Sequence, residues 1–525
     1  MSLRANVYSR RGGVASRQPL ATSAGLSVLS DGGNAVDAAI ATSAVLAVVE
    51  PGDSHLGGDM FAIYHSGKDR TTLAINGSGE APHGATLSEF QAGIPHHGYK
   101  AATVPGLVSG WFAVHDRWGR LPIEKILAPA IRYARDGFPA TPGLIKRINH
   151  HLKSYPDSEV FRQLQIPTDV RVGGIITLPD LAWSLNEIAK QGREAFYSTS
   201  IAERIVAATS GWFSLADLAA HRTRIEEPLR ARYRDQIIHA QPPPSQGMIL
   251  LSELLLADRV DVKSMSEVDR IHFLVEAKKI GFTDRYATLG DLPETKDRVA
   301  KVLSEPHISR RLHEIEMATA RTAPREVSEG EDTTYFLAAD DEGNAISWIQ
   351  SVFHGFGAAF AVEGTGILLN NRLTGFSLDE TSPNLIAPGR RPAHTLNAFI
   401  VTHSDGSLHL VSGTPGANIQ VQTNAQIISN VIDLEMNAQE AVDAPRWQHL
   451  IAPGESAGIE GYTGTLQLES RFDDGTIEGL RSKGHEVAAI TPYGHGSAVQ
   501  LLRVLENGTY EFGSDPRCEG LAIGL

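Results

Sequence analysis

Hydroxyl groups beside glycine-rich turns carry the chemistry that stands out in this sequence. Asp332-Thr333-Thr334-Tyr335 opens an alternating stretch, Ser351 lies on the next such stretch, and Ser412-Gly-Thr-Pro-Gly416-Ala417 supplies a run of small residues. A hydroxyl attacks a carbonyl when a base takes its proton and backbone N–H groups stabilise the oxyanion that forms. These residue types therefore suit acyl transfer. Taken alone, Thr333 is weak evidence, because threonine is a favoured strand residue.

Other chemistries find less support. Gly77-Ser-Gly79 and Gly496-Ser497 lack the flanking spacing of a Ser-His-Asp nucleophile elbow. Metal hydrolysis would need clustered ligands, but His96-His97 and His150-His151 read as neighbours pointing apart on regular elements, and His83 as a solvated loop residue. Gly355-Phe-Gly357 lacks the third glycine of a nucleotide loop and reads as a turn beside the site. Cys518 is the only cysteine, which excludes an intrachain disulfide and a cysteine-rich metal site. Neither a metal nor a cofactor is expected.

The elements that must position these groups differ along the chain. Helical patterns dominate Ala21–Val49, Val104–Asp136, Leu181–Ala207 and Val268–Tyr286. From Thr333 onward the texture is strand-like: 334–338, 345–353, 366–369, 397–401, 408–411 and 498–505. Asp340-Asp341-Glu342-Gly343-Asn344 is a turn between two of these runs, so a hairpin is expected that brings Ser351 back beside Thr333. The segment 318–332 has no period and reads as an exposed connector. It need not divide two domains, because neither side holds a full set of layers, whereas together they make a helix–sheet–sheet–helix sandwich.

Bulk properties bound the function. The chain has 525 residues, long enough for roughly two to four domains on length alone. Its net charge is −14, from 61 acidic and 47 basic residues, and no basic stripe is present, which argues against nucleic acid as a partner. An anionic substrate would need a local basic patch against this field. The longest apolar run, Ala35–Val49, is broken by Asp37 and is shorter than the roughly 20 residues of a membrane span, so it reads as a buried helix capped by Gly32-Gly-Asn34. No membrane association is expected. The N-terminal segment has no apolar stretch behind its charges, and a cytoplasmic location is expected.

Set in order, several blocks carry a resemblance. Leu56-Gly-Gly-Asp59, Val104-Pro-Gly106, Ala134 to Phe138, Asp332 to Tyr335, Asp340 to Asn344, Gly364 to Asn371, Arg391-Pro392, Ser412 to Gly416, Asn437 to Trp447 and Gly513 to Arg517 together resemble the γ-glutamyltranspeptidase family. The resemblance spans nearly the whole chain. It implies an α+β fold, a four-layer αββα sandwich of the N-terminal-nucleophile hydrolase type, in a precursor that cuts itself between Asp332 and Thr333. Residues 1–332 become a large subunit and 333–525 a small one, together forming one αββα domain. The sequence leaves open whether pairs of these subunits dimerise. Thr333 then supplies both hydroxyl and free α-amine, whose reference pKa of about 7.7–8.0 suits a general base. Ser351 matches a supporting hydroxyl, and Gly416 and Ala417 match the backbone donors for the oxyanion, Ala417 standing where the family usually has glycine.

The substrate pocket departs from the family. Phe353 stands where an asparagine is usual, Arg372 for a glutamine, Gly375 for the aspartate that pairs with a substrate amine, Ser78 for the arginine that holds an α-carboxylate, and His394-Thr395 for a serine pair. Loss of ammonium acceptors with gain of Arg372 implies a small-molecule amide with a carboxylate-bearing acyl group and no α-amine. The short connection from Phe376 to Arg391 implies an open site that favours hydrolysis, as in the family's acylase-like branch. The alternatives are a glutathione hydrolase or γ-glutamyltransferase with altered glutamate recognition, and a weakly processed member that does no catalysis.

Overall fold

The computed structural model describes residues 4–323, 332–451 and 463–525. Of the expected connector, residues 324–331 lie outside the described residues, as do Met1 to Leu3 of the N-terminal segment and the side chain of Asp332.

Two seven-stranded sheets form the centre. In chain order their strands are β1 (Val7–Ser9), β2 (Gly12–Ser16), β3 (Asp59–Ser66), β4 (Thr71–Gly77), β5 (Arg224–Glu226), β6 (Leu229–Tyr233), β7 (Gln236–Ala240), β8 (Asp332–Asp340), β9 (Ala345–Phe353), β10 (Phe399–His403), β11 (Leu408–Gly413), β12 (Gln500–Val504), β13 (Tyr510–Ser514) and β14 (Leu521–Gly524). One sheet runs β1-β13-β12-β11-β10-β7-β6 and the other β14-β2-β8-β9-β3-β4-β5. All their pairings are antiparallel.

Side-chain alternation along the strands sorts the core into layers. Phe61, Ile63, Tyr335, Leu337 and Ile349 of the second sheet meet Ile400, Val411, Leu502 and Phe512 of the first. The alternate residues Met60, Ala62, Phe336, Ala338, Ile346 and Trp348 face outward into helices α1 (Pro19–Ser30), α2 (Ala35–Val49), α3 (Leu107–Trp118) and α4 (Ile123–Asp136). Phe399, Val401, Leu410 and Leu501 face α5 (Gly247–Ala257), α6 (Glu267–Thr288) and α7 (Ile419–Ile432). The fold is the expected four-layer αββα sandwich.

Every residue of α2 is buried. Asn34 and Asp37 form its capping box, and the Asp37 carboxylate also accepts the N–H groups of Arg120 and Leu121 at 3.0–3.1 Å, which compensates a charge at zero exposure. The expected helical stretches 21–49 and 104–136 are each two helices. The expected contrast between a helix-rich first part and a strand-rich last part holds among the described residues, although half the strands of the two large sheets, β1 to β7, precede residue 332 and α7 follows it.

Candidate active site

The hairpin of β8 and β9 forms as expected. Asp332 pairs with Phe353 and Thr334 with Gln350, so a bulge sets Thr333 opposite Ser351 and Val352. Thr333 and Ser351 are both buried, at 2% and 1% exposure. On the other flank β2 ends at Ser16, which pairs with Phe336, so β8 runs beyond its neighbour at residues 333–335. There Arg17 Nη1 donates to the Thr333 carbonyl at 2.8 Å.

Charged groups surround that contact. Arg17 Nε lies 3.3 Å from Glu50, its Nη1 3.7 Å from Asp53, and Arg147 Nε 2.9 Å from the other Asp53 oxygen. Burial pushes the Glu50 carboxyl above the usual carboxylate range, with Arg17 opposing, and Thr334 faces it. The Asp53 carbonyl accepts Val352 N–H, which fixes this loop to β9.

Two of the residues expected to bind substrate, Arg372 and His394, converge on Asp59. It is the cross-strand partner of Ser351 and has no exposure. Its Oδ1 accepts Gly79 N–H at 2.9 Å, and its Oδ2 lies 3.3 Å from both Arg372 Nε and His394 Nε2. Leu396 N–H donates to His394 Nδ1, so the imidazole proton sits on Nε2 and points at Asp59. Burial, then the Arg372 charge, lowers the His394 pKa to about 3, so the ring is neutral.

Phe353 adopts φ +87°, a strained conformation for a bulky residue, and its N–H donates to Ser351 Oγ at 2.7 Å. The Arg372 guanidinium stacks 3.9 Å from the Phe353 ring centre. Gly375 leaves room beside Arg372: the nearest atoms to a Cβ there would be Ala393 O at 3.4 Å, Pro392 Cβ at 3.6 Å and Arg372 Cδ at 3.9 Å. Ser78 is turned away from a carboxylate-holding role, since its hydroxyl donates to Asn76 at 2.6 Å. Below it, burial works against the Glu80 carboxylate, but His221 and Arg391 outweigh it and hold its pKa at about 2. Arg391 is thereby a buried strut joining Glu80 to the carbonyls of Asn76 and Arg222.

Gly416 and Ala417 follow β11, whose last residue, Gly413, packs on the Tyr335 ring two residues beyond Thr333. Both have positive φ, +118° and +47°. Their carbonyls accept Ile419 and Gln420 N–H, opening α7, while among the described residues no acceptor takes either of their own N–H groups. Gln246 Nε2 bridges the carbonyls of Thr395 and Ala417, tying two expected site segments together. Ala498 N–H donates to Thr414 Oγ1 at 3.0 Å, and Asp515, paired with Arg446, takes the next N–H, of Val499, at 2.8 Å.

The Phe376–Arg391 connection folds back, with Phe376 and Ile386 packing on Ala81, Ala85 and Phe90. His151 is buried between Phe161 and Phe356, whereas His150 and His83 are exposed. His96 and His97 sit in a loop rather than on a regular element. One ligand-type cluster was missed: His272, Glu276 and His485, all buried, bring their donor atoms within 4.8 Å. Its groups serve the protein: His272 bonds His485 and the Glu316 carbonyl, and Glu276 pairs with the buried Lys279 at 2.8 Å. The ammonium beside it disfavours a cation. The sequence also holds one Gly-x-Ser-x-Gly run, Gly454 to Gly458, which lies outside the described residues. Among the described residues no helix is long and apolar enough to cross a membrane.

Comparison with known proteins places the whole chain in a family. The family model described as gamma-glutamyltranspeptidase matches residues 21–525. The chain is 36% identical to the "Glutathione hydrolase-like YwrD proenzyme" of Bacillus subtilis (strain 168), covering 98% of each chain. It is 33% identical to the "Oxamate amidohydrolase proenzyme" of Klebsiella pneumoniae, over 96% of this chain and 97% of that one. Among solved structures, a cephalosporin acylase from Bacillus halodurans superposes with a TM-score of 0.91 at 32% identity, over 100% of this chain and 98% of that one.

Proposed function

The chain belongs to the γ-glutamyltranspeptidase family of self-processing amide hydrolases, and from that premise we propose that it cuts itself between Asp332 and Thr333 and hydrolyses the amide of a carboxylate-bearing acyl group. The Thr333 hydroxyl attacks the Asp332 carbonyl in the precursor. Hydrolysis of that ester releases residues 1–332 as the large subunit and leaves a free amine on Thr333.

In the mature enzyme this amine accepts the hydroxyl proton as oxygen attacks the substrate carbonyl. The same proton passes to the leaving amine, and water then hydrolyses the acyl ester on Thr333. The uncommitted N–H groups of Gly416 and Ala417 suit stabilisation of the oxyanion. Ser351, opposite Thr333, supports the nucleophile.

The observation that carries the choice of acyl group is the commitment of Asp59. A γ-glutamyl substrate brings an α-ammonium that needs an acceptor, and the carboxylate shared by these residues already accepts from Gly79, Arg372 and His394. Phe353 and Gly375 supply none. Arg372 adds positive charge, which favours a carboxylate and penalises an ammonium. The relative named for oxamate fits an enzyme without α-amine recognition.

A panel of amides differing only in the α-amine tests the reading, preceded by N-terminal sequencing of the small subunit. Oxamyl, succinyl and glutaryl amides should be turned over well ahead of γ-glutamyl-p-nitroanilide. Comparable turnover of the γ-glutamyl compound would favour the glutathione hydrolase reading, and a terminus other than Thr333 would refute the mechanism.

A further inference from the structure

Arg17 occupies a position that the sheet leaves vacant. If β2 continued past Ser16, its backbone would pair with residues 333–335 of β8; instead the chain turns into α1 at Gln18, whose side chain caps that helix. On that flank the Arg17 guanidinium donates to the Thr333 carbonyl at 2.8 Å. This carbonyl lies after the scissile bond. The contact therefore survives the cut, while Asp332 departs.

The same guanidinium lies beside two carboxylates, Glu50 at 3.3 Å from its Nε and Asp53 at 3.7 Å from the same Nη1, and Asp53 is held in turn by Arg147. The nitrogen of a residue lies within about 3.5 Å of its own carbonyl oxygen, which puts Arg17 within about 6 Å of the Thr333 nitrogen. Once the peptide bond is cut that nitrogen is a titratable amine.

We propose that Arg17 is a positioning residue for the nucleophile: it holds the Thr333 carbonyl in place of a strand, and its permanent charge favours the neutral, proton-accepting form of the amine that cleavage exposes. An arginine suits this because it does not titrate and its planar fork serves carbonyl and carboxylates at once. The charged and titratable groups around the Arg17 contact come from three places in the chain: Arg17 itself after β2, Glu50 and Asp53 after α2, and Arg147, paired with Asp53, in the helix Pro142–Ser154. Ser351 and Val352 of β9, opposite Thr333, add no charge. Cys518 also lies near Arg17, its thiol pushed up to about 11 by burial and therefore neutral.

The proposal rests on Thr333 being the new terminus, and its test reads the amine directly. On the processed enzyme, the rate of acetylation of the Thr333 amine is followed against pH by mass spectrometry of the small subunit. The wild-type amine should titrate at or below the reference of about 7.7. Arg17→Gln keeps a donor and removes the charge, and should raise that value by about half a pH unit or more. Arg17→Lys should leave it within about 0.2 unit, and Asp53→Asn should lower it.

No shift in Arg17→Gln or Asp53→Asn, or an equal shift in Arg17→Lys and Arg17→Gln, would overturn the charge argument. Should Arg17→Gln stay uncut, Asp53→Asn decides: a lower value upholds the proposal and an unchanged one overturns it. A wild-type chain with no terminus at Thr333 overturns this proposal and the proposed function together, whereas a cut chain whose amine ignores these substitutions overturns this one alone.

Discussion

Arg372 Nε lies 3.3 Å from Asp59 Oδ2, with both side chains at 1% exposure or less. A buried pair of this kind costs more to break on one side than it gains when intact, because the remaining charge is left without compensation.

Asp59→Ala should therefore lower stability by about 3–5 kcal/mol. The Arg372→Met, Asp59→Leu double variant should recover much of that loss, because it removes both charges. Urea denaturation of the three proteins checks this, and equal losses in single and double variants would contradict it.

Thr333→Ala should purify as one 56.6 kDa chain without amidase activity, since both the attacking hydroxyl and the cut are lost. Ser351→Ala should process and turn over more slowly with its melting temperature little changed. Intact mass and initial rates distinguish the two variants.

Phe353→Asn with Gly375→Asp should shift specificity toward γ-glutamyl amides. The site admits a Cβ at Gly375 at ordinary contact distances, and asparagine accepts positive φ more readily than phenylalanine. The ratio of kcat/KM for γ-glutamyl to succinyl p-nitroanilide should rise at least about tenfold, equivalent to about 1.4 kcal/mol of altered discrimination. An unchanged ratio would mean that recognition lies elsewhere.

Acid should destabilise the fold well above the carboxylate range. Burial is the first cause that lowers His55, His239, His394 and His495 to about 3 in the fold, against about 6.5 when unfolded. Between those values the unfolded chain binds more protons, so stability is full above pH 6.5 and falls as pH drops toward 3. Each imidazole contributes at most about 1.4 kcal/mol per pH unit. The urea midpoint at pH 7.5, 6 and 4.5 should decline steadily, and His394→Gln should decline less steeply than wild type.

What the sequence disclosed depended on how local each signal was. Asn34, Asp37 and the apolar run after them give α2 its bounds, because a capping box and an uninterrupted buried helix are local patterns. The β8–β9 hairpin was equally legible from its turn. By contrast β3 is buried throughout, so it lacks the alternation that marks a half-exposed strand, and α7 buries Gln420, Gln422, Asn424 and Gln426, which hides its apolar face. Asp59 was visible only as part of a motif. Its role arises from Gly79, Arg372 and His394, two of them more than 300 residues away, and no spacing within one segment announces that meeting.

The interleaving of the sheets carries a last consequence. In one sheet β14, β8 and β9 are threaded among β2, β3, β4 and β5; in the other β13, β12, β11 and β10 lie between β1 and β7. Severing the backbone before Thr333 would thus yield two polypeptides with no separable cores. Parting them would require unfolding both, so dilution should not release a folded fragment, and exchange of subunits between molecules should proceed no faster than global unfolding.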